Sequence, residues 1–326
     1  MKKFIIITTI NEENDVLRKF ASFSDWTLII VGDRKGPTNI SLPNTIFLDI
    51  DKQKELGFEF AKFCPENHYS RKNIGYLYAM SKGADIIAES DDDNLPANGW
   101  GDEISFNHEK ILNGKGFYNV YNLYSDEFIW PRGYPLEEIN ATRPANFKSE
   151  NHKIGAWQFL ADGSPDVDAI YRLTRKEDIE FKKFGKIGLN PGLYCPFNSQ
   201  NTFWTREAFW MMYLPISVTF RFTDILRGYV AQRLFWDQNM VLGFGDANVF
   251  QDRNIHDLMR DFRDEIPMYT ELIQIIDLFN TISLSNDPLE AILQLYQEMF
   301  KRGFVFESEI EGVGAWITDC QKLKSS

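Results

Sequence analysis

The sequence predicts an α/β fold, an open sheet flanked by helices with a helical extension at the carboxyl end. Three observations lead there. The chain opens on a strand, helix, strand succession; a helix closing at Gly83 delivers the chain into an apolar run that ends abruptly in Asp91, Asp92 and Asp93; and beyond Ile255 the apolar residues fall at helical spacing.

Lys3 to Ile10 is a near-continuous β-branched run, followed by the polar break Asn11 to Asn14 and a short amphipathic helix near Asp15 to Phe23. Thr27 to Val31 repeats the strand pattern and Thr45 to Ile50 supplies another, so a right-handed parallel start is expected. Ser70 to Lys82 places Ile74, Leu77, Tyr78 and Ser81 on one helical face, and the Ala84 strand follows. Phe117 to Tyr121 and Ala156 to Leu160 read as strands, and polar Tyr134 to Lys153 as a loop or lid. Ile216 to Phe220 reads as a strand, with a helix to about Trp236 for which Thr223 and Asp224 are suitable cap types, and Val241 to Phe244 as a last strand. Three helical segments then follow, Asp257 to Phe262, Met268 to Phe279 and Pro288 to Phe300.

With 326 residues, 44% of them hydrophobic, the chain can bury a large core. A net charge of −12 argues against nucleic acid as the main partner, so phosphates would need local arginines, lysines or a cation. Cys64, Cys195 and Cys320 have neither metal-site spacing nor an even count, which speaks against a disulfide framework or a structural zinc. The apolar run at the amino end is too short for a signal peptide, and no apolar run reaches about 18 residues, the length of a membrane span. A soluble protein of a reducing compartment is expected.

Three adjacent carboxylates repel one another unless a hard divalent cation with oxygen ligands sits among them. Asp91 and Asp93, flanking Asp92, therefore suggest a metal that holds a nucleotide diphosphate, against the plainer reading of a solvated turn or cap. Arg71, Lys72 and Asn73 open the preceding helix, where cations oppose the dipole; a bound phosphate would explain them, and so would solvated charges near Glu66. Asp33 suits a base or ribose contact, or a turn. His256 is either a structural histidine or a further metal ligand, and Asp224 either a cap or a catalytic base.

The run from Lys72 to Asp93 resembles the helix, glycine, strand and DxD segment of glycosyltransferases of the GT-A fold, a Rossmann-like mixed sheet. More narrowly, Val31 to Lys35, Leu56 to Phe58, Arg71 to Ala79, Asp162 to Leu173, Asn198 to Thr202 and Asp224 to Trp236 resemble the STELLO-type family, over roughly residues 5 to 260, leaving the last helices uncovered. The resemblance implies a transferase domain over 1–254, with a donor half to about 115 and an acceptor half from 116, and a helical extension over 255–326. It implies metal binding by Asp91, Asp93 and His256, with Mn²⁺ or Mg²⁺ as cofactor. Nucleotide-sugar contacts would come from Thr9, Asp33, Arg71, Lys72, Asn73, Asp91, Asp92 and Arg227, with Asp224 as the base and Asp162, Asp166 and Asp168 near the sugar or acceptor. The implied reaction is inverting, hexosyltransferase-like transfer from a UDP-sugar to a hydroxyl of a glycan or glycolipid, in surface glycan or polysaccharide synthesis. Plant members of the family are membrane-anchored; no such segment is read here, so a cytoplasmic location or a peripheral one at the inner face of a membrane is expected. The alternatives are a sugar nucleotidyltransferase, disfavoured because Thr8 to Glu13 after the first strand has no glycine, and a non-catalytic scaffold or binding protein of the same fold.

Overall fold

A computed structural model describes residues 1–102, 104–175, 178–253 and 257–324. Strand β1 (Lys3–Thr9), helix α1 (Asp15–Ala21) and strand β2 (Trp26–Gly32) form the expected parallel unit, with Lys3 opposite Trp26 and Thr9 opposite Gly32. The Asn14 side chain accepts from the Leu17 N–H and so starts α1 at the end of the polar break. Strand β3 (Thr45–Leu48) lies parallel outside β2 and leads into α2 (Ile50–Glu55). After a tight turn at Tyr69–Arg71, α3 (Lys72–Ser81) crosses to β4 (Ile86–Ser90), which runs parallel to β1 on its other side.

The remaining elements are β5 (Asn94–Pro96), β6 (Asn107–Asn113), β7 (Gly116–Phe117), α4 (Tyr121–Tyr124), β8 (Asn146–Gly163), α5 (Ala169–Thr174), β9 (Ile187–Leu189), β10 (Leu193–Tyr194), β11 (Asn201–Thr205), α6 (Thr223–Asp237), β12 (Met240–Gln251), α7 (Leu258–Thr281), α8 (Pro288–Lys301) and α9 (Glu307–Lys324). Among the described residues the main sheet runs β3-β2-β1-β4-β11-β8-β6-β9-β12-β5, and β11 is antiparallel to both β4 and β8. The sheet is therefore mixed, as expected. The 18-residue β8 changes neighbours along its length, pairing with β6 over Asn146–Lys153 and with β12 from Lys153 onward.

Layers on both faces explain why the central strands are apolar throughout. In β1, Phe4 and Ile6 join the core beneath α3, α6 and the carboxyl-terminal helices, while Ile5 and Ile7 join a second core with α1, Trp26 and Trp100. Helix α3 lies so close that a Cβ on Gly75 would come within 2.6 Å of Ile6 and 2.7 Å of Val31.

Four sequence readings are corrected. Ile216 to Phe220 is not a strand, because the Ile216 and Ser217 N–H groups are taken by the Glu309 carboxylate of α9 rather than by a neighbouring strand. Of the Phe117 to Tyr121 segment only Phe117 lies in a strand, the end of β7, and the chain then turns into α4. The presumed lid from Tyr134 to Lys153 becomes strand at Asn146, whose polar side chains suit the exposed half of β8. In the tail, the two segments on either side of Pro267 form one helix, α7, and α9 went unread because Gly312 and Gly314 weaken its pattern. Gly312 is required there, since a Cβ would lie 2.6 Å from the Tyr213 hydroxyl. The tail packs into the main core: Asp319 accepts from the Glu59 and Phe60 N–H groups, and Trp316 Nε1 donates to the Trp210 carbonyl. No helix among the described residues is long and apolar enough to cross a membrane.

Sheet and helix layer are tied by one fully buried ion pair, Glu89 of β4 with Arg227 of α6 at 2.8 Å, and Glu89 also accepts from Tyr76 and Trp204. Removing one partner strands the other charge in the core. Arg227→Ala or Glu89→Ala is expected to cost about 3–5 kcal/mol in urea denaturation, and Glu89→Met with Arg227→Met less than either. Single variants within about 1 kcal/mol of wild type would contradict this.

Candidate functional site

The carboxyl ends of β1, β2 and β4 open into a cleft of about 800 Å³, where open sheets of this kind collect their ligands. The acidic tip after β4 lines it, and its carboxylates are spread by separate partners. Asp91 accepts from the Tyr69 hydroxyl at 2.9 Å and from Lys72 Nζ at 3.1 Å. Asp92 accepts from Thr9 Oγ1 at 2.5 Å and Asn11 Nδ2 at 2.8 Å, which ties the tip to the end of β1. Asp93 faces β12, with Gln251 Nε2 at 3.3 Å. Burial pushes the Asp91 carboxyl above its ordinary range, against the pull of Lys72.

A hydrogen-bonded chain crosses the floor from this tip. The Tyr69 hydroxyl meets Ser199 Oγ at 2.5 Å, Ser199 donates to Asp224 through its N–H at 3.2 Å, and both Asp224 oxygens are held by Arg132 at 3.0 and 3.1 Å. Arg132 Nε continues to Asp166 at 2.8 Å, and Asn198 Nδ2 donates to the other Asp166 oxygen at 2.6 Å. Burial alone would raise both carboxyls. The Arg132 charge overrides it, lowering Asp224, and with Arg221 it brings Asp166 down to about 2. Arg172, Arg221, Arg253 and Arg260 line the same cleft with Asp166, and the ring of Phe220 is exposed within it beside Tyr69.

Of the residues singled out in the sequence, Thr9, Asp33, Arg71, Asp91, Asp92, Asp93, Asp166 and Asp224 line this one cleft. Several of them are engaged in building it. Asp33 accepts from the N–H groups of Arg34, Asn67 and His68, the turn alternative, and the Arg71 guanidinium is held by Gln53 Oε1 and the Cys64 carbonyl. Lys72 is fully buried behind the tip, bonded also to the Ser90 and Ser199 carbonyls. Asp224 sits one residue inside α6 rather than capping it.

Four expected contacts lie elsewhere. Asn73 clamps the backbone of Leu214 with both ends of its amide, and Arg227 belongs to the buried pair with Glu89. Asp162 accepts from the Phe181 N–H, and Asp168 caps α5 through the Tyr171 N–H while bonding Trp130 Nε1 at 2.6 Å. Burial raises Asp168 to about 6 despite those bonds. His256 lies outside the described residues.

The arginines were missed, as were Ser199 and Gln200. Arg132, Arg172, Arg221 and Arg253 are scattered over 122 residues, and no local spacing signals their convergence. Asn198 to Thr202 did carry a signal: five successive polar residues entering a buried strand, all buried here.

A carboxyl whose folded pKa is depressed adds stability above its ordinary value and loses it as pH falls through the folded one. For Asp166 that window runs from 3.8 down to about 2. Arg132→Gln is expected to cost about 3–5 kcal/mol at pH 7, and its deficit against wild type should shrink as acid neutralises the two carboxylates. A deficit unchanged between pH 7 and pH 2.5 in denaturant titrations would contradict the linkage.

Residues 221–325 match the model of the STELLO glycosyltransferases. The match includes the carboxyl-terminal helices, so the expectation that the likeness stops near residue 260 is corrected. The chain is 28% identical over 98% of its length to the probable glycosyltransferases STELLO2 and STELLO1 of Arabidopsis thaliana, and it spans 44% of the length of those relatives. A crystal structure of glucosyl-3-phosphoglycerate synthase from Mycobacterium tuberculosis with phosphoglyceric acid covers 87% of this chain and 81% of its own, with a TM-score of 0.40 and 11% identity, a likeness too loose to carry an argument. By sequence, this chain is similar to the STELLO glycosyltransferases along nearly its whole length.

Proposed function

We propose that this chain is a metal-dependent, inverting glycosyltransferase of the GT-A type that moves a sugar from a nucleotide donor, a UDP-sugar, to a hydroxyl acceptor. The observation that carries the reading is one cleft beyond the strand ends that is lined both by Asp91, Asp92 and Asp93 and by arginines, in a chain similar to glycosyltransferases. The domain division at residue 254 and a role in glycan or polysaccharide synthesis belong to the same proposal.

The donor set suits a hard cation. Asp91 and Asp93 offer carboxylate oxygens, and no group of three or more His, Cys, Asp or Glu side chains placed to hold a metal occurs among the described residues. Two carboxylates would leave the remaining positions to phosphate oxygens and water, as Mg²⁺ commonly has it. When bound, Mn²⁺ or Mg²⁺ would offset charge on the departing diphosphate.

The chain's own residues do the rest. Lys72 and Tyr69 hold the Asp91 carboxylate in place, and Thr9 and Asn11 hold Asp92. Phe220 offers an apolar ring face to a base or sugar. Asp224, kept ionised by Arg132, stands as the acceptor of the proton released by the attacking hydroxyl, and a base on the acceptor side gives inversion. A second reading, a cleft that binds the nucleotide sugar without transferring it, is favoured by one observation: both Asp224 oxygens are already bonded to Arg132.

UDP-sugars are expected to raise the melting temperature in the presence of Mn²⁺ and much less without it, by about 2.7 kcal/mol of stabilisation at a hundredfold excess over Kd. Asp93→Asn should remove the metal-dependent part. Asp224→Asn should keep the donor-induced shift and lower UDP release from the donor by about 10²–10⁴-fold. Near-normal turnover in that variant removes the base assignment, and a wild-type protein that binds but never releases UDP favours the second reading.

A further inference from the structure

The cleft carries a cluster of arginines that the acidic tip does not explain. Arg132, Arg172 of α5, Arg221 ahead of α6, Arg253 after β12 and Arg260 of α7 reach one space from five parts of a chain whose net charge is −12. Most of them have anionic partners: Arg132 bonds Asp166 and Asp224, Arg221 bonds Glu265 at 2.9 Å with Asp166 at 4.0 Å, and Arg253 bonds Asp261 at 2.7 Å.

Arg172 differs. Among the described residues its guanidinium donates hydrogen bonds to neutral groups, Ser164 Oγ at 2.9 Å and the Pro165 carbonyl at 2.6 Å, and its buried Nε has no hydrogen-bond partner. Burial together with the neighbouring Arg253 charge lowers its pKa to about 10, against the pull of the Asp166 and Asp261 carboxylates. Those carboxylates are already bonded to Arg132 and Arg253, so the cluster leaves room for a further anion, and the planar fork of Arg172 matches phosphate and carboxylate oxygens.

We propose that the arginine cluster of the cleft is an anion subsite, in which Arg172, assisted by Arg221 and Arg260, binds a phosphate or carboxylate carried by the acceptor substrate. This rests on the glycosyltransferase reading for the word acceptor, but not for the site. The assignment to acceptor rather than donor follows from the parts of the chain involved. Arg172 is fixed by Ser164 and Pro165 between β8 and α5, whereas the acidic tip is built by β1, α3 and β4.

The probe is inorganic phosphate, titrated by thermal shift at constant ionic strength against chloride, without metal. Phosphate should stabilise wild type where chloride does not, and Arg172→Gln should weaken the apparent affinity about tenfold, the loss of one charge-assisted contact. Arg260→Gln, at an exposed position, should keep the wild-type melting temperature and weaken phosphate binding severalfold, which covers the case in which Arg172→Gln fails to fold. Saturating phosphate should leave the affinity for UDP with Mn²⁺ unchanged. Competition between phosphate and UDP, with weaker UDP binding in Arg172→Gln, would move the site to the donor diphosphate and overturn the acceptor assignment. Phosphate acting no differently from chloride, or binding equally to wild type and both variants, would overturn the subsite itself. Phosphate binding needs neither UDP nor turnover, so these outcomes are separable from failure of the glycosyltransferase reading.

Discussion

A carboxylate and a guanidinium withdrawn completely from water, Glu89 and Arg227, sit where β4 meets α6. Such a pair is tolerable only if its geometry is good and its remaining valences are filled. Tyr76, Trp204 and the Asn198 carbonyl supply most of that. The same contacts fix three elements at once: α3 through Tyr76, β11 through Trp204, and the Asn198 turn that carries Ser199 to the cleft floor. Asp91, two residues beyond Glu89, inherits its position from this arrangement.

Electrostatic balance along the floor follows from that frame. Lys72 is buried under Asp91, and Arg132 lies between Asp224 and Asp166, so each of these three carboxylates has a cation beside it. The consequence is a cleft in an acidic protein that carries both carboxylates suited to a cation and arginines suited to an anion.

The carboxyl-terminal helices are part of this construction. Glu309 of α9 takes the Tyr213 hydroxyl and the N–H groups of Ile216 and Ser217, and so holds the segment that leads to Phe220, Arg221 and Asp224. Glu265 of α7 pairs with Arg221 and accepts from the Ala169 N–H at the start of α5, next to Arg172. Both the arginine cluster and the approach to Asp224 are therefore shaped from the tail, in keeping with a family match that runs from residue 221 to 325.

What the sequence determined by itself was local: the parallel start from Lys3 to Gly32, the helix and glycine ahead of β4, and an acidic tip at a strand end, because strand periodicity, turn residues and a charge run are properties of neighbours in the chain. It misplaced Asn73, Arg227, Asp162 and Asp168, which have the residue types of a site and the partners of a core. Whether a polar side chain serves a ligand or satisfies a buried backbone group depends on what lies opposite, and for Asn73 that is Leu214, for Arg227 Glu89. Only the tertiary structure decided the convergence of Arg132, Arg172, Arg221 and Arg253, since guanidiniums so far apart in sequence interact only after the sheet and both helix layers have packed.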